Sequence, residues 1–452
     1  MKLYLVSLGC VRNLVDSEFM LGRLVKAGFT ITQDPADADI IIVNTCSFIE
    51  SAINESIDAI LELAEFKKSG ICQKLIVAGC LPERFREKIV EALPEVDKFL
   101  GTGAYDRIVE AVEETEGEGA RCFLPDPNSI LPGGHNEPRL QSASHTAYLK
   151  VSVGCDKHCT YCIIPKLRGR QRSRRVEDIV NEARSLILSG VKEIILVAED
   201  TTSYGKDLNP SADLAGLLVR IGEMADNLCS RSGDGGGADR VWVRFLYGHP
   251  ESIDEAVIHA VGANHNICSY FDLPIQHASS RVLKKMGRNY THDDLLRLFD
   301  KIRSLVPDAV IRTTVITGFP GETDEDFEQL LGFVEKIGFD HLGVFTYSDS
   351  EDLPSHRLSN HVPERVAQKR YEQLMTAQAK ISLESNRKHI GKTYAVLVQD
   401  KMEGNRYTGR TFFQAPEVDG ITYINSGQFQ TGDFVNVRIT DALEYDLVGE
   451  VV

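Results

Sequence analysis

Strand-length apolar runs alternate with helix-length amphipathic patterns along most of the chain, and a sequence written this way is held to parallel β-sheets covered by helices. The first hundred residues repeat one such unit. "KLYLVSLGC" precedes a helical pattern from Leu14 to Ala27, "ADIIIVNTC" one from Glu50 to Lys67, and "KLIVAGC" one from Pro82 to Leu93. Each run closes on a cysteine, so Cys10, Cys46 and Cys80 take equivalent places at the carboxyl ends of successive parallel strands. Open α/β sheets bind ligands at that edge, and the helix amino-termini there favour a thiolate. Any one of these cysteines alone reads as a small buried hydrophobe. Three on one edge read as a ligand set.

A chain of 452 residues exceeds what one hydrophobic core supports, so two or three domains are expected. Residues 1–115 read as a parallel α/β domain. Residues 116–144, rich in Gly, Pro, Ser and Asn, read as a linker. Six apolar segments separated by helical patterns then fill residues 145–388. That count predicts a partial (βα)6 barrel, short of the eight units of a closed one, with its working face at the strands' carboxyl ends. Within it, "SRSGDGGGAD" from Ser230 to Asp239 reads as a mobile surface insertion. Residues 389–452 carry short alternating strands with Gly-containing turns, the pattern of a small β-barrel of oligonucleotide-binding type. The fold class is therefore α/β with a terminal small β-barrel, and the barrel reads as a separable docking element for a macromolecule.

Composition narrows the setting. No apolar run approaches the roughly 20 residues of a membrane span, and the amino terminus reads as a first strand rather than a secretory signal, so a cytoplasmic protein without membrane attachment is expected. Ten cysteines in that compartment do not form a disulfide framework. Cys72, Cys122, Cys229 and Cys268 share no spacing and read as structural. The net charge of -16 argues against a protein whose affinity comes from a nucleic-acid backbone. Asp433, Asp441, Glu444, Asp446 and Glu450 in the last strands argue the same way for the terminal barrel. The basic run Arg168, Arg170, Arg172, Arg174 and Arg175 reads first as a solvated face and second as a holder of an anionic substrate.

The first strand of the central domain runs into "GCDKHCTYCIIPKLRG", which places Cys155, Cys159 and Cys162 at C-x3-C-x2-C spacing. Structural zinc wants four closed ligands, with His158 the nearest fourth. Three thiolates instead suit a cubane iron–sulfur cluster whose fourth iron stays open for chemistry. The spacing, the aromatic Tyr161 before the third cysteine and the position after strand one of a six-unit barrel resemble the radical S-adenosylmethionine (SAM) enzymes. Together with the amino-terminal triad and the terminal small barrel, which resembles a TRAM domain, they resemble the methylthiotransferase family within that superfamily, over essentially the whole chain. "SLGCVRNLVDSE", "VAEDTTSYG" and "APEVDG" look most like its ribosomal-protein branch, with a departure at Val11 and Arg12, where proline-lysine is usual.

The resemblance implies two 4Fe-4S clusters, on Cys155, Cys159 and Cys162 and on Cys10, Cys46 and Cys80, with SAM bound at the first. It implies a methylthio group added to the β-carbon of an aspartate in small-subunit ribosomal protein twelve, and an external low-potential electron donor. Transfer-RNA adenosine, the substrate of the sister branch, is the alternative; a zinc-stapled RNA- or ribosome-binding module is the reading from another class. Glu199 and Arg312, at strand ends, are expected SAM contacts, with Asp200, Thr201, Gln276 and His277 weaker candidates. The acidic terminal barrel is expected to steer a basic ribosomal protein to the cavity.

Overall fold

The computed structural model describes residues 1–70, 72–114, 120–129, 138–208, 212–230, 240–425 and 427–452. Residues 231–239 of the stretch read as a mobile insertion lie outside them. So do 116–119 and 130–137 of the stretch read as a linker.

The amino-terminal strands β1 (Lys2–Ser7), β2 (Thr30–Ile31), β3 (Ile40–Thr45), β4 (Lys74–Gly79), β5 (Lys98–Leu100) and β6 (Cys122–Phe123) form one parallel sheet in the order β2-β1-β3-β4-β5-β6. β3, "IIIVNT", is buried at every position, as expected of a central strand covered on both faces. Helices α1 (Val11–Lys26) and α2 (Glu50–Ser69) follow the expected patterns. The third pattern does not make one helix: it breaks into α3 (Cys80–Phe85) and α4 (Lys88–Ala92), with Arg86 at φ 54° between them. The region read as a linker also does structural work. Cys122 and Phe123 are the sixth strand of the sheet. The buried Arg139 side chain pairs with Glu18 and with Glu182 of the central domain.

The six expected central segments form β7 (Thr146–Lys150), β10 (Glu193–Val197), β11 (Trp242–Phe245), β12 (Tyr270–Asp272), β13 (Val310–Thr317) and β14 (His341–Thr346). A short antiparallel pair, β8 (Ser152–Val153) and β9 (Arg172–Ser173), frames the cysteine loop. The six lie parallel in two three-stranded sheets, β11-β10-β7 and β12-β13-β14, joined by a bridge between Val243 and Ile267. This is an open barrel. Helices cover its outside through one large apolar core that includes Ile194, Phe245, Phe271 and Phe333.

The last five strands, β15 (Thr393–Lys401), β16 (Arg406–Arg410), β17 (Thr422–Asn425), β18 (Phe434–Ala442) and β19 (Leu447–Val451), close a barrel in the order β15-β16-β17-β19-β18. It is not a bead on a string. Arg410 Nη2 of β16 lies 2.5 Å from Glu193 Oε2, and Glu193 Oε1 accepts from Arg244 Nε at 2.9 Å, all three residues being buried. Asp419 of "APEVDG" accepts from the Tyr270 hydroxyl at 2.6 Å and faces Arg312 at 3.4 Å. Trp242 meets Phe434 edge to face at 4.8 Å between ring centroids. One apolar cluster runs from Leu3 and Ile42 through Tyr148, Ile195 and Trp242 into Val396 and Tyr407. The small barrel thus plugs the amino-terminal end of the open one. Two of its acidic residues also hold turns: Asp433 accepts from the Gln430 amide and Asp446 from the Ile421 amide. Among the described residues no helix is long and apolar enough to cross a membrane.

Candidate active site

The amino-terminal cysteines are delivered by the ends of β1, β3 and β4. Cys10 is the N-cap of α1, and its carbonyl accepts from the Asn13 and Leu14 amides. Cys46 is held by Ser56, whose hydroxyl accepts from the Cys46 amide and donates to its carbonyl. Cys80 opens α3 after Gly79 at φ +96°, where a Cβ would overlap the Asn44 side chain, so only glycine lets the strand turn there. Asn13 ties the edge together: its Nδ2 donates to the carbonyls of Leu8 and Thr45, while its own carbonyl accepts from Asn44 Nδ2.

The rest of "NLVDSE" faces the central domain. Asp16 is paired with Lys150 of β7 and with Arg168 at 3.0 Å. Glu18 accepts from Arg139 and from the Ser142 amide and hydroxyl. A motif read as a family signature is thus the hinge that sets one strand edge against the other.

The second triad sits on a loop pinned from several sides. The Cys155 amide donates to the Gly169 carbonyl at 3.1 Å, and Thr160 donates to the carbonyls of Met286 and Lys285. Gly154, at φ +81°, has no room for a Cβ because the Arg170 carbonyl oxygen occupies that space. The Tyr161 hydroxyl accepts from Nε and Nη2 of Arg288, and its ring meets Phe319 edge to face at 6.3 Å.

All six cysteines line one cavity of about 600 Å³ between the two strand edges. Burial pushes the Cys80, Cys155 and Cys162 thiols up to about 12. Helix termini therefore do not suffice to favour the thiolate, contrary to the sequence expectation for Cys80. At Cys10 burial acts in the same upward direction, yet Arg12 and Arg168 beside it outweigh it and hold the thiol below its ordinary value. Among the described residues no three Cys, His, Asp or Glu side chains are drawn tightly enough together to close on a single metal ion. The thiolates of a cubane cluster bind separate irons and so stand further apart than the ligands of one zinc.

Glu199 lines the cavity, and neither of its buried carboxylate oxygens has a hydrogen-bond partner. Arg312 does not line it: its guanidinium is engaged below, with Asp272 at 2.9 Å and Asp419. Arg312, expected as a SAM contact, is thus committed to two carboxylates, because strand position alone does not say at which depth a side chain enters the lumen. Asp200 lines the cavity but is committed to the turn that follows it, accepting from the hydroxyls of Thr202, Ser203 and Ser252. Gln276 lines the cavity at φ +66°, whereas His277 turns away toward Glu322. The basic run is only in part a solvated face: Arg170 and Arg175 are exposed, whereas Arg168 and Arg174 are buried, paired with Asp16 and Glu182.

Sequence reasoning missed Arg12, Tyr247, His249 and Arg288, all on the cavity wall. His249 is held neutral by burial, down to about 2, and its Nε2 has no partner. Only Arg12 carried a signal, the departure from the expected proline-lysine.

An open six-stranded parallel barrel with a C-x3-C-x2-C loop after its first strand defines a radical SAM enzyme, and the profile of the Radical SAM superfamily matches residues 149–334. Residues 2–101 match the profile described as uncharacterized protein family UPF0004 and residues 390–452 the TRAM domain. Proteins named ribosomal protein uS12 methylthiotransferase RimO are 51% identical in Desulfosudis oleivorans, over all of both chains, and 48% identical in Clostridioides difficile, over all of this chain and 99% of that one. The chain belongs to this RimO family of radical SAM methylthiotransferases.

Among solved structures, the radical SAM methyltransferase TsrM from Kitasatospora setae superposes with a TM-score of 0.55 at 14% identity, covering 76% of this chain and 72% of that one. The cobalamin-dependent SAM radical enzyme OxsB gives 0.52 at 15%, covering 84% and 56%. At such identities the likeness is one of fold.

Proposed function

We propose that this enzyme adds a methylthio group to the β-carbon of an aspartate in small-subunit ribosomal protein uS12. In this reading two 4Fe-4S clusters, one on Cys155, Cys159 and Cys162 and one on Cys10, Cys46 and Cys80, work with SAM and an external low-potential electron donor in the cytoplasm. The observation that carries it is that both cysteine triads line one cavity. Sulfur insertion at an unactivated carbon requires the site that generates a radical and the site that holds sulfur to reach the same carbon, and a displacement of about 1 Å can cost roughly a hundredfold in rate. When bound, the clusters would pass on the donor's electron and hold the sulfur, and SAM would supply the radical and the methyl group, chemistry outside the reach of side-chain acids and bases.

The chain's own residues place and enclose these groups. The buried Glu199 carboxylate, without a hydrogen-bond partner and flanked by Arg168 at 3.6 Å and Arg12 at 3.8 Å, suits the ammonium of SAM. Phe48, Ile49, Ala52, Ile164 and Pro274 give the cavity an apolar lining that keeps water from a reactive carbon. The relatives' names support uS12 over transfer RNA, as does the net charge of -16.

Deleting the gene is expected to remove one methylthio group from a uS12 peptide, read by mass spectrometry, while transfer-RNA adenosines keep theirs. A uS12 peptide unchanged by the deletion, with a methylthio group lost from transfer RNA, would transfer the enzyme to the sister branch. The loop geometry adds a second expectation. Gly154→Ala forces an L residue into a left-handed conformation, costing roughly 1–2 kcal/mol, and collides with the Arg170 carbonyl. The reconstituted variant should lose most of the iron on the Cys155 loop, visible as about half the wild-type iron content.

A further inference from the structure

Arg12 stands in the first turn of α1, where the helix dipole disfavours a cation. Helix energetics therefore do not account for it. From the amino-terminal domain its guanidinium crosses to the central one: Nη1 donates to the Ala198 carbonyl at 2.9 Å, and the group lies 4.5 Å over the Tyr247 ring. These two contacts fix it at the wall shared by both triads. It lines the cavity together with all six cysteines. Its Nε is buried without a hydrogen-bond partner, and the nearest carboxylate, Glu199, is 3.8 Å away.

Of the other cations of the cavity, Arg168 holds Asp16 and Asn13 and lies 3.6 Å from Glu199, and Lys157 is 2.7 Å from Glu251. Arg288 donates twice to Tyr161 and keeps its Nη1 without a partner, but it belongs to the wall behind the Cys155 loop and not to the seam between the two triads. If Glu199 is taken by an ammonium, Arg12 keeps no carboxylate beside it, and it lines the space where the target carbon has to sit. A planar guanidinium with an open edge is matched by a carboxylate, which accepts two parallel hydrogen bonds. An aspartate β-carbon is one bond from such a carboxylate.

We propose that Arg12 binds the side-chain carboxylate of the target aspartate, positions its β-carbon between the two triads and makes the enzyme select aspartate over asparagine. This rests on the proposed function above. The test uses the anaerobically reconstituted full-length enzyme and uS12 carrying Asp or Asn at the modified position, and reads the ratio of kcat/KM for the two substrates. Because the ratio is taken within one enzyme, losses of overall activity cancel. Wild type should favour Asp by at least about a hundredfold, since an amide leaves the guanidinium uncompensated. In Arg12→Met the ratio should fall to within about threefold, and Arg12→Lys should recover part of it. Where Arg12→Met turns over too slowly, the ratio of affinities for the two proteins, measured by fluorescence anisotropy, is read in the same way.

An unchanged ratio in Arg12→Met overturns the inference. So does an effect confined to the KM for SAM or to iron content, which would make Arg12 a partner of SAM or of the Cys10 cluster. A wild-type enzyme that leaves uS12 unmodified overturns the proposed function, and this inference with it, before any variant is made.

Discussion

A chain ending at Arg387, without the terminal barrel, is expected to lose reductive cleavage of SAM as well as methylthiolation. None of the proposed ligands lies beyond that point, and the sequence alone suggests a docking element that can be removed without touching the chemistry. The structure reverses this expectation. Glu193 is a strand residue of the central barrel buried between Arg244 from the same barrel and Arg410 from the terminal one. Truncation removes one of its two cations, uncovers Trp242 and Tyr270, and opens the lumen beneath the cavity to water.

Glu193→Leu isolates the polar part of this effect. It leaves Arg244 and Arg410 buried side by side without their anion, a defect costing roughly 3–5 kcal/mol. A lowered thermal midpoint in circular dichroism and a reduced yield of folded protein should report it. A truncated chain that forms 5′-deoxyadenosine at the wild-type rate would show instead that the small barrel is detachable.

The two triads should fail in different ways. Replacing Cys155, Cys159 and Cys162 together with alanine should bring 5′-deoxyadenosine formation below detection, since that loop is the proposed site of SAM cleavage. Replacing Cys10, Cys46 and Cys80 should leave SAM cleavage measurable while methylthiolation of uS12 falls by at least about a hundredfold, because the sulfur-holding side of the cavity is gone. Liquid chromatography of reaction products separates the two outcomes in one assay. Normal methylthiolation by the second variant would return Cys10, Cys46 and Cys80 to the status of core residues.

What could be read from the sequence was local. A strand that ends in a cysteine before a helix is a pattern of nearest neighbours, so the two strand edges and both triads were visible without coordinates. The break at Arg86 was not, because a left-handed residue other than glycine leaves no mark in hydrophobic periodicity.

Charged residues misled for a related reason. Arg168 looks like part of a solvated run until Asp16 arrives from a distant helix to pair with it. Arg312 looks like a strand-end ligand until Asp419, from the terminal barrel, takes it. The residues between 120 and 144 look like linker because their partners, Phe99 and Glu18, belong to other elements. In each case the decisive contact joins residues far apart in sequence, which periodicity and spacing cannot register. The cavity's unpartnered groups, Glu199 and His249, could be recognised only once burial was known.

Two cysteine triads facing one cavity should each hold a cluster with an open iron. Iron and acid-labile sulfide counting on the anaerobically reconstituted protein, with Mössbauer spectroscopy to assign cluster type, should find about eight irons and about eight sulfides per chain, all in cubane clusters. About four irons per chain with the amino-terminal cysteines alkylatable, or a colourless protein holding zinc, would contradict the two-cluster reading.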